Sequence, residues 1–224
     1  MDWFALALLS GLVALDATTF PQIMISRPLV AGTVAGWLGG APEAGLAVGA
    51  ILEIFGLVVL PFGAARYPES GLAAVAAAGG AVAVAGTQAA APAVLMVVVT
   101  VALLWEQVAG YTVLALRRLD ERLVAEDGQA VTDPDGLQRR HLGAMTLDFG
   151  RGVVLGVVGA VLCVLALRLI LPVWGLGAST AGEVLHLAAV AMLAAALDIF
   201  GGFADHRRWF LGGVGLGVLI LVVA

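Results

Sequence analysis

Glu53 stands inside the run Gly45–Pro61, with only apolar residues for several positions on either side. A carboxylate in such a run must face a cavity or meet a cation, because desolvating an unpaired charge is expensive. Two readings are open. Glu53 either lines a cavity, where it accepts hydrogen bonds from ligand hydroxyls, or it makes a helix-packing ion pair with Arg27 or Arg66. A second group, Asp16, Thr18, Thr19, Gln22, Ser26 and Arg27, lies between two apolar stretches. One acid, one base and several neutral hydrogen-bonding side chains suit an uncharged polyol, which presents many donors and acceptors and no net charge. The alternative for each of these residues is a solvated interfacial loop. Gln88 interrupts the longest apolar stretch and either lines a pathway or caps a break in a helix. Asp148 and Arg151 are spaced to pair on one helical face. His141 and His186 have no metal-ligand company, Cys163 is alone in an apolar run, and no nucleophile elbow or phosphate-binding loop is present. Neither a cofactor nor a metal is therefore expected.

The elements that must position these residues are apolar. Of 224 residues, 62% are hydrophobic and 12% charged, against about a quarter charged in ordinary soluble domains. Such a chain cannot cover a water-exposed surface with polar groups, whereas a lipid-facing one needs no such cover. The net charge of −5 argues against nucleic acid as a partner. All eleven basic residues are arginine, which reads as compositional bias before function. Met1-Asp2-Trp3 lacks the basic segment of a cleavable signal, so the first apolar stretch is taken as part of the mature protein.

Gly71–Trp105 is about 35 residues long without one charge, too long for one crossing of about 20 residues and enough for most of two. Gly86-Thr87-Gln88 is its natural break. Several other runs are short and end in Gly or Pro, as in Gly39-Gly40-Ala41-Pro42 and Leu60-Pro61-Phe62-Gly63. Broken helices are tolerated at membrane depth only where protein or a water-filled cavity satisfies the freed backbone groups, and they point to transporter binding sites. Gly11, Gly32, Gly36, Gly45 and Gly49 carry small-xxx-small spacings that permit close helix packing. The five tryptophans, Trp3, Trp37, Trp105, Trp174 and Trp209, fall near the ends of apolar runs, as expected of interfacial anchors. Asp198 and the Asp205–Arg208 cluster read as an ordinary loop.

The fold expected is an all-α, polytopic membrane protein in one integral domain, residues 1–224. It should have about six to eight membrane segments, some broken or re-entrant, with inverted repeats one arrangement open to it. A polar segment, residues 117–141, divides a first helical half (1–116) from a second (142–224). Its five arginines place it in the cytoplasm, since orientation follows the Arg/Lys count, and Asp133-Pro134-Asp135-Gly136 reads as a turn within it.

The N-terminal third resembles the enzyme IIC subunit of the mannose/fructose/sorbose class of the bacterial sugar phosphotransferase system. The likeness rests on Leu15-Asp16, on Gln22-Ile-Met-Ile-Ser26-Arg27-Pro28-Leu-Val-Ala-Gly32, on Gly36, Gly39, Gly45 and Gly49-Ala50-Ile-Leu-Glu53, and on Pro61-Phe-Gly63-Ala64. It continues more loosely through Gly86-Thr87-Gln88 and His141–Arg151. The resemblance implies a sugar-translocating permease subunit in the bacterial cytoplasmic membrane, binding a hexose in an intramembrane cavity. It also implies a IID membrane partner, cytoplasmic IIA and IIB proteins that carry the phosphoryl group, and oligomers of IIC–IID units. The family's sugar-contacting region maps onto Asp16, Gln22 and Glu53, with Arg27 and Pro28 shaping the start of the next helix; Arg66 and Gln88 complete the candidate set. Gly40 stands where an Asp is common, and Ala65-Arg66-Tyr67-Pro68-Glu69 replaces a Pro-Pro-Asp type of sequence, which leaves the sugar open. Two other classes fit the same residues: a non-transporting or regulatory scaffold that docks IIA/IIB-like proteins through residues 117–141, and an ion-coupled carrier that titrates Glu53.

Overall fold

The structure is a computed structural model that describes residues 1–59, 67–125 and 134–199, and beyond them 207–208, 211–213, 215 and 219; the side chains of residues 123–125, 134 and 198 are also outside it. Through residue 199 the described residues form seven α-helices: α1 (Trp3–Thr18), α2 (Pro28–Leu38), α3 (Pro42–Gly56), α4 (Ser70–Ala85), α5 (Pro92–Ala125), α6 (Pro134–Ile170) and α7 (Ala178–Ile199). Asp2 caps α1, its Oδ1 accepting from the N–H groups of Phe4 (2.9 Å) and Ala5 (3.3 Å). Proline opens α2, α3, α5 and α6, where its missing N–H costs nothing. Among the described residues, four helical stretches are long and apolar enough to cross a membrane: Ser70–Gln88, Pro92–Arg122, Asp135–Val173 and Ala178–Leu197.

The small-residue spacings close the α2–α3 hairpin. A Cβ on Gly45 would overlap the Gly32 carbonyl oxygen, and one on Gly49 the Pro28 carbonyl. Two backbones can approach this closely only without side chains between them. Gly40, at φ 81°, makes the turn that an L side chain would strain. At 1.5 Å per residue α2 and α3 are only about 16 and 22 Å long, short of the roughly 30 Å hydrocarbon core. This is the half-length hairpin that the Gly/Pro punctuation suggests.

The long uncharged run divides as expected. A 3₁₀ turn at Gly86–Gln88 separates α4 from α5. Residues 71–82 of α4 are all buried and all Gly, Ala, Val or Leu, so this helix has no lipid face and forms the core. It packs on α6 through Gly80, beside Cys163 and Ala160.

Contacts fix the directions. Along α6, Asp148 meets Thr18 and Gly156 meets Ser10, so α1 runs antiparallel to it. Arg151 meets Thr112 and Leu155 meets Trp105, so α5 is antiparallel as well. Glu69, Ala76 and Gly80 follow α6 in parallel through Arg151, Gly159 and Cys163. The C-termini of α1 and α3 and the N-termini of α2 and α4 therefore gather at one end of the bundle, beside Asp148–Arg151 of α6, whose N-terminal turns run on beyond them.

Two expectations change. Trp105 is no interfacial anchor. It sits mid-way along α5 against Gly159, and its Nε1 donates to the Leu155 carbonyl at 3.1 Å; the apolar run ends there in sequence, but the helix continues. Residues 117–141 are helical in their described parts, through 125 and again from 134, and Pro134–Gly136 forms the first turn of α6 rather than a free turn. At about 51 and 55 Å, α5 and α6 exceed the hydrocarbon core, so their charged turns can lie on helix rather than loop.

Candidate functional site

The end of the bundle where these four helix termini meet contains a cavity of about 330 Å³. Thr18, Ser26, Arg27, Glu53, Glu69 and Arg117 supply polar groups to its wall, and Val13, Leu57, Val113 and Leu114 are among the apolar residues. Mostly apolar walls with a few convergent polar groups are the usual composition of a small-molecule site.

Glu53, in the last turn of α3, reaches the start of α2. Its Oε2 accepts from the Leu29 N–H at 3.3 Å, and its Oε1 lies 3.4 Å from Arg27 Nε. The N-terminus of α2 leaves backbone donors free, which explains why a carboxylate settles there. The Arg27 side chain is 60% exposed, and an ion pair so open to solvent contributes at most about 1 kcal/mol. A carboxylate offers about four acceptor positions, so Glu53 has capacity left for a ligand. The ion pair and the cavity wall are thus both realised, with Arg27 as the partner; Arg66 lies outside the described residues.

Asp16 is spent elsewhere. Its side chain is buried behind the wall, with Oδ1 accepting from the Ile23 N–H (2.7 Å) and Oδ2 from the Ser26 N–H (2.8 Å). The segment between α1 and α2 wraps around this carboxylate, with Gln22 (φ 56°) and Met24 (φ 70°) in the left-handed region. Asp16 therefore sets where Ser26 and Arg27 stand. Gln22 is exposed and does not line the cavity. Gln88 lies past the far end of α4, about 24 Å along the helix axis from the cavity. Of the described candidates, the structure brings Arg27 and Glu53 together at the cavity, puts Asp16 behind it, and leaves Gln22 and Gln88 apart from it.

The most densely bonded polar group was only half legible. Arg151 Nη1 and Nη2 donate to Glu69 Oε2 (2.7 Å) and Oε1 (2.8 Å), its Nε to Asp148 Oδ1 (2.9 Å), and its Nη1 also to Thr112 Oγ1 (3.0 Å). Asp148 Oδ2 in turn accepts from the Thr18 and Thr19 hydroxyls. Asp148 is 1% exposed and Glu69 9%. The network joins α1, α5, α6 and the start of α4. The i,i+3 spacing predicts the pairing of Asp148 with Arg151 but gives no sign of Glu69, 82 positions away. A signal did exist: Glu69 and Glu106 flank the uncharged run on either side, and a run that folds at its middle brings its flanks together. The Glu69 N–H indeed donates to the Glu106 carbonyl at 3.1 Å.

A second cavity, of about 300 Å³, adjoins the first and shares Thr18, Val113 and Arg117 with it. Its other polar walls are Thr19, Asp120, Arg140, His141 and Asp148.

The family described as the PTS system sorbose-specific IIC component matches residues 1–203. No curated protein matches the chain. A solved structure described as "Structure of membrane protein" is similar with a TM-score of 0.72 at 16% identity, covering 99% of this chain and 92% of its own. At that identity the likeness is one of fold: a helical membrane protein.

Proposed function

This chain belongs to the family of PTS sorbose-specific IIC components, the membrane permease subunits of a sugar phosphotransferase system, and from that premise we propose that it binds a hexose-class sugar in the cavity beside Glu53 and passes it across the membrane. The observation that carries the reading is the Arg27–Glu53 pair on the wall of a 330 Å³ cavity, at the junction of helices too short to span. Glu53 accepts hydrogen bonds from sugar hydroxyls, Arg27 and Ser26 donate, and Asp16 holds both donors in place. The half-length α2–α3 hairpin is the element free to move against the α4–α6 core, which gives alternating access by motion of one body against another.

In this reading the subunit works with a IID membrane partner in oligomers of IIC–IID units in the bacterial cytoplasmic membrane. Cytoplasmic IIA and IIB proteins supply the phosphoryl group. Arginines are concentrated at the cavity end, with Arg27, Arg117, Arg118, Arg122, Arg139 and Arg140, against Arg168 at the other. The positive-inside bias then turns the cavity end to the cytoplasm, where those proteins act. The test is uptake of radiolabelled L-sorbose, D-mannose and D-fructose into cells carrying the chain with its IID partner and the soluble PTS proteins. Uptake that requires phosphoenolpyruvate-linked phosphorylation and falls at least tenfold in Glu53→Gln supports the reading. Uptake driven by pH alone, with no phosphoryl donor, would replace it with an ion-coupled carrier.

A further inference from the structure

We infer that the second cavity is a separate compartment for the unphosphorylated sugar, lying between the Glu53 cavity and the cytoplasm, with Asp120 as its hydroxyl-binding group. This rests on the permease reading and adds a position along the route.

Asp120 lines the second cavity, and its Oδ1 is buried without a hydrogen-bond partner. A carboxylate oxygen shielded from solvent and left unbonded is costly, and a turn of the Asp120 side chain toward the cavity lets a ligand hydroxyl satisfy it. The wall as a whole carries two arginines and two aspartates, beside His141. Arg117 and Arg140 face Asp120 and Asp148, and Asp148 is itself held by Arg151, Thr18 and Thr19. A phosphate ester would gain two guanidinium groups there but confront two carboxylates. A neutral polyol meets donors and acceptors in similar number and no net field. The compartment should thus hold the free sugar and disfavour its phosphate, retaining substrate and releasing product.

Continuity comes from the shared residues. Thr18, Val113 and Arg117 border both cavities, and the Glu69–Arg151–Asp148 network lies beside the boundary, with Glu69 on the first wall and Asp148 on the second. The second cavity is bounded by α5 residues 113–120 and α6 residues 137–148, the turns in which these helices become charged. A sugar leaving Glu53 along α5 passes Arg117 and then meets Asp120 about one helical turn further on.

Cysteine protection tests this directly, because the chain has a single cysteine and it is buried. In a Cys163→Ala background of the full chain with its IID partner, Leu57→Cys reports on the first cavity, and Ala144→Cys or Leu137→Cys on the second. Each is labelled with a membrane-impermeant maleimide in inside-out vesicles, with and without saturating L-sorbose, D-mannose or D-fructose or the corresponding sugar phosphate. The expected result is that a free sugar slows labelling at least fivefold at all three positions and that its phosphate does not protect the second-cavity cysteines. Asp120→Leu should then abolish protection at Ala144→Cys and Leu137→Cys while leaving it at Leu57→Cys, which separates occupancy from a closure transmitted from the first site. Protection confined to Leu57→Cys overturns the second compartment and leaves the permease reading standing. Protection at neither cavity, in protein that elutes as a folded complex, overturns both. Equal protection by sugar and sugar phosphate at Ala144→Cys, or protection there that survives Asp120→Leu, overturns the role given to Asp120.

Discussion

Replacing Arg151 by Gln should be among the most destabilising single changes outside the apolar core. The guanidinium makes a two-pronged contact with Glu69 at 2.7 and 2.8 Å, contacts Asp148 through Nε at 2.9 Å and Nη2 at 2.8 Å, and bonds Thr112 at 3.0 Å. Its side chain is 11% exposed, against 7% for Glu69 and 1% for Asp148. Removing it strands two carboxylates in a site that water reaches poorly, and breaking a buried pair in this way costs about 3–5 kcal/mol. Lysine should recover little, because a single ammonium cannot reproduce a planar fork that serves two carboxylates at once. If the cost is stranded charge, neutralising a partner must return part of it. The double variant Glu69→Gln/Arg151→Gln should thus be more stable than the sum of the single effects, with a coupling of about 1–3 kcal/mol. Cys163 provides the assay: it is 1% exposed and is the chain's only cysteine, so a thiol-reactive fluorophore reports unfolding as heat exposes it. A loss below about 1 kcal/mol for Arg151→Gln, the range of a surface pair, would refute the reasoning, as would strict additivity in the double variant.

Gly45→Val should prevent the α2–α3 hairpin from closing, since any Cβ there overlaps the Gly32 carbonyl; the fluorophore should then react with Cys163 at lower temperature and sugar should no longer protect, whereas Gly150→Ala, with open space around it and lining neither cavity, should leave both readouts intact. Asp16→Asn keeps one acceptor oxygen for two N–H donors, so it should cost about 1.5–3 kcal/mol of stability, the worth of a hydrogen bond to a charged group, read as a lower unfolding temperature through Cys163, and sugar binding should weaken in titration calorimetry because Ser26 and Arg27 are less firmly placed. Trp105→Phe loses the bond to the Leu155 carbonyl and should lower stability by about 1 kcal/mol with uptake retained, an outcome that separates a packing role from an interfacial one.

How much of this was legible follows from the kind of signal each feature leaves. The membrane character, the break at Gly86–Gln88 and the glycine-packed hairpin all arise from local composition, so they can be read along the chain. Glu53 was identifiable because an acid in an apolar run demands a partner. Asp16 looked like a ligand because spacing cannot tell a carboxylate that binds substrate from one that binds the backbone seven and ten residues on. Trp105 misled for a related reason: the apolar run ends beside it, but the helix does not. The Glu69–Arg151 contact spans 82 positions, and it follows from the parallel course of α4 and α6, which no periodicity encodes. Asp120 was hidden among the charges of a segment that looked like solvated loop, and it gains meaning only once that segment is helix bordering a cavity.

The central claim is that the cavity beside Arg27 and Glu53 binds the sugar. Its most direct test is the unfolding temperature of the purified chain with its IID partner, followed through Cys163 across L-sorbose, D-mannose, D-glucose, D-fructose and amino sugars. At least one sugar should raise the temperature of wild type in a saturable way, and Glu53→Gln, folded and equally stable without sugar, should lose the shift. A folded complex that responds to none of them, or a Glu53→Gln variant that responds as wild type does, would contradict it.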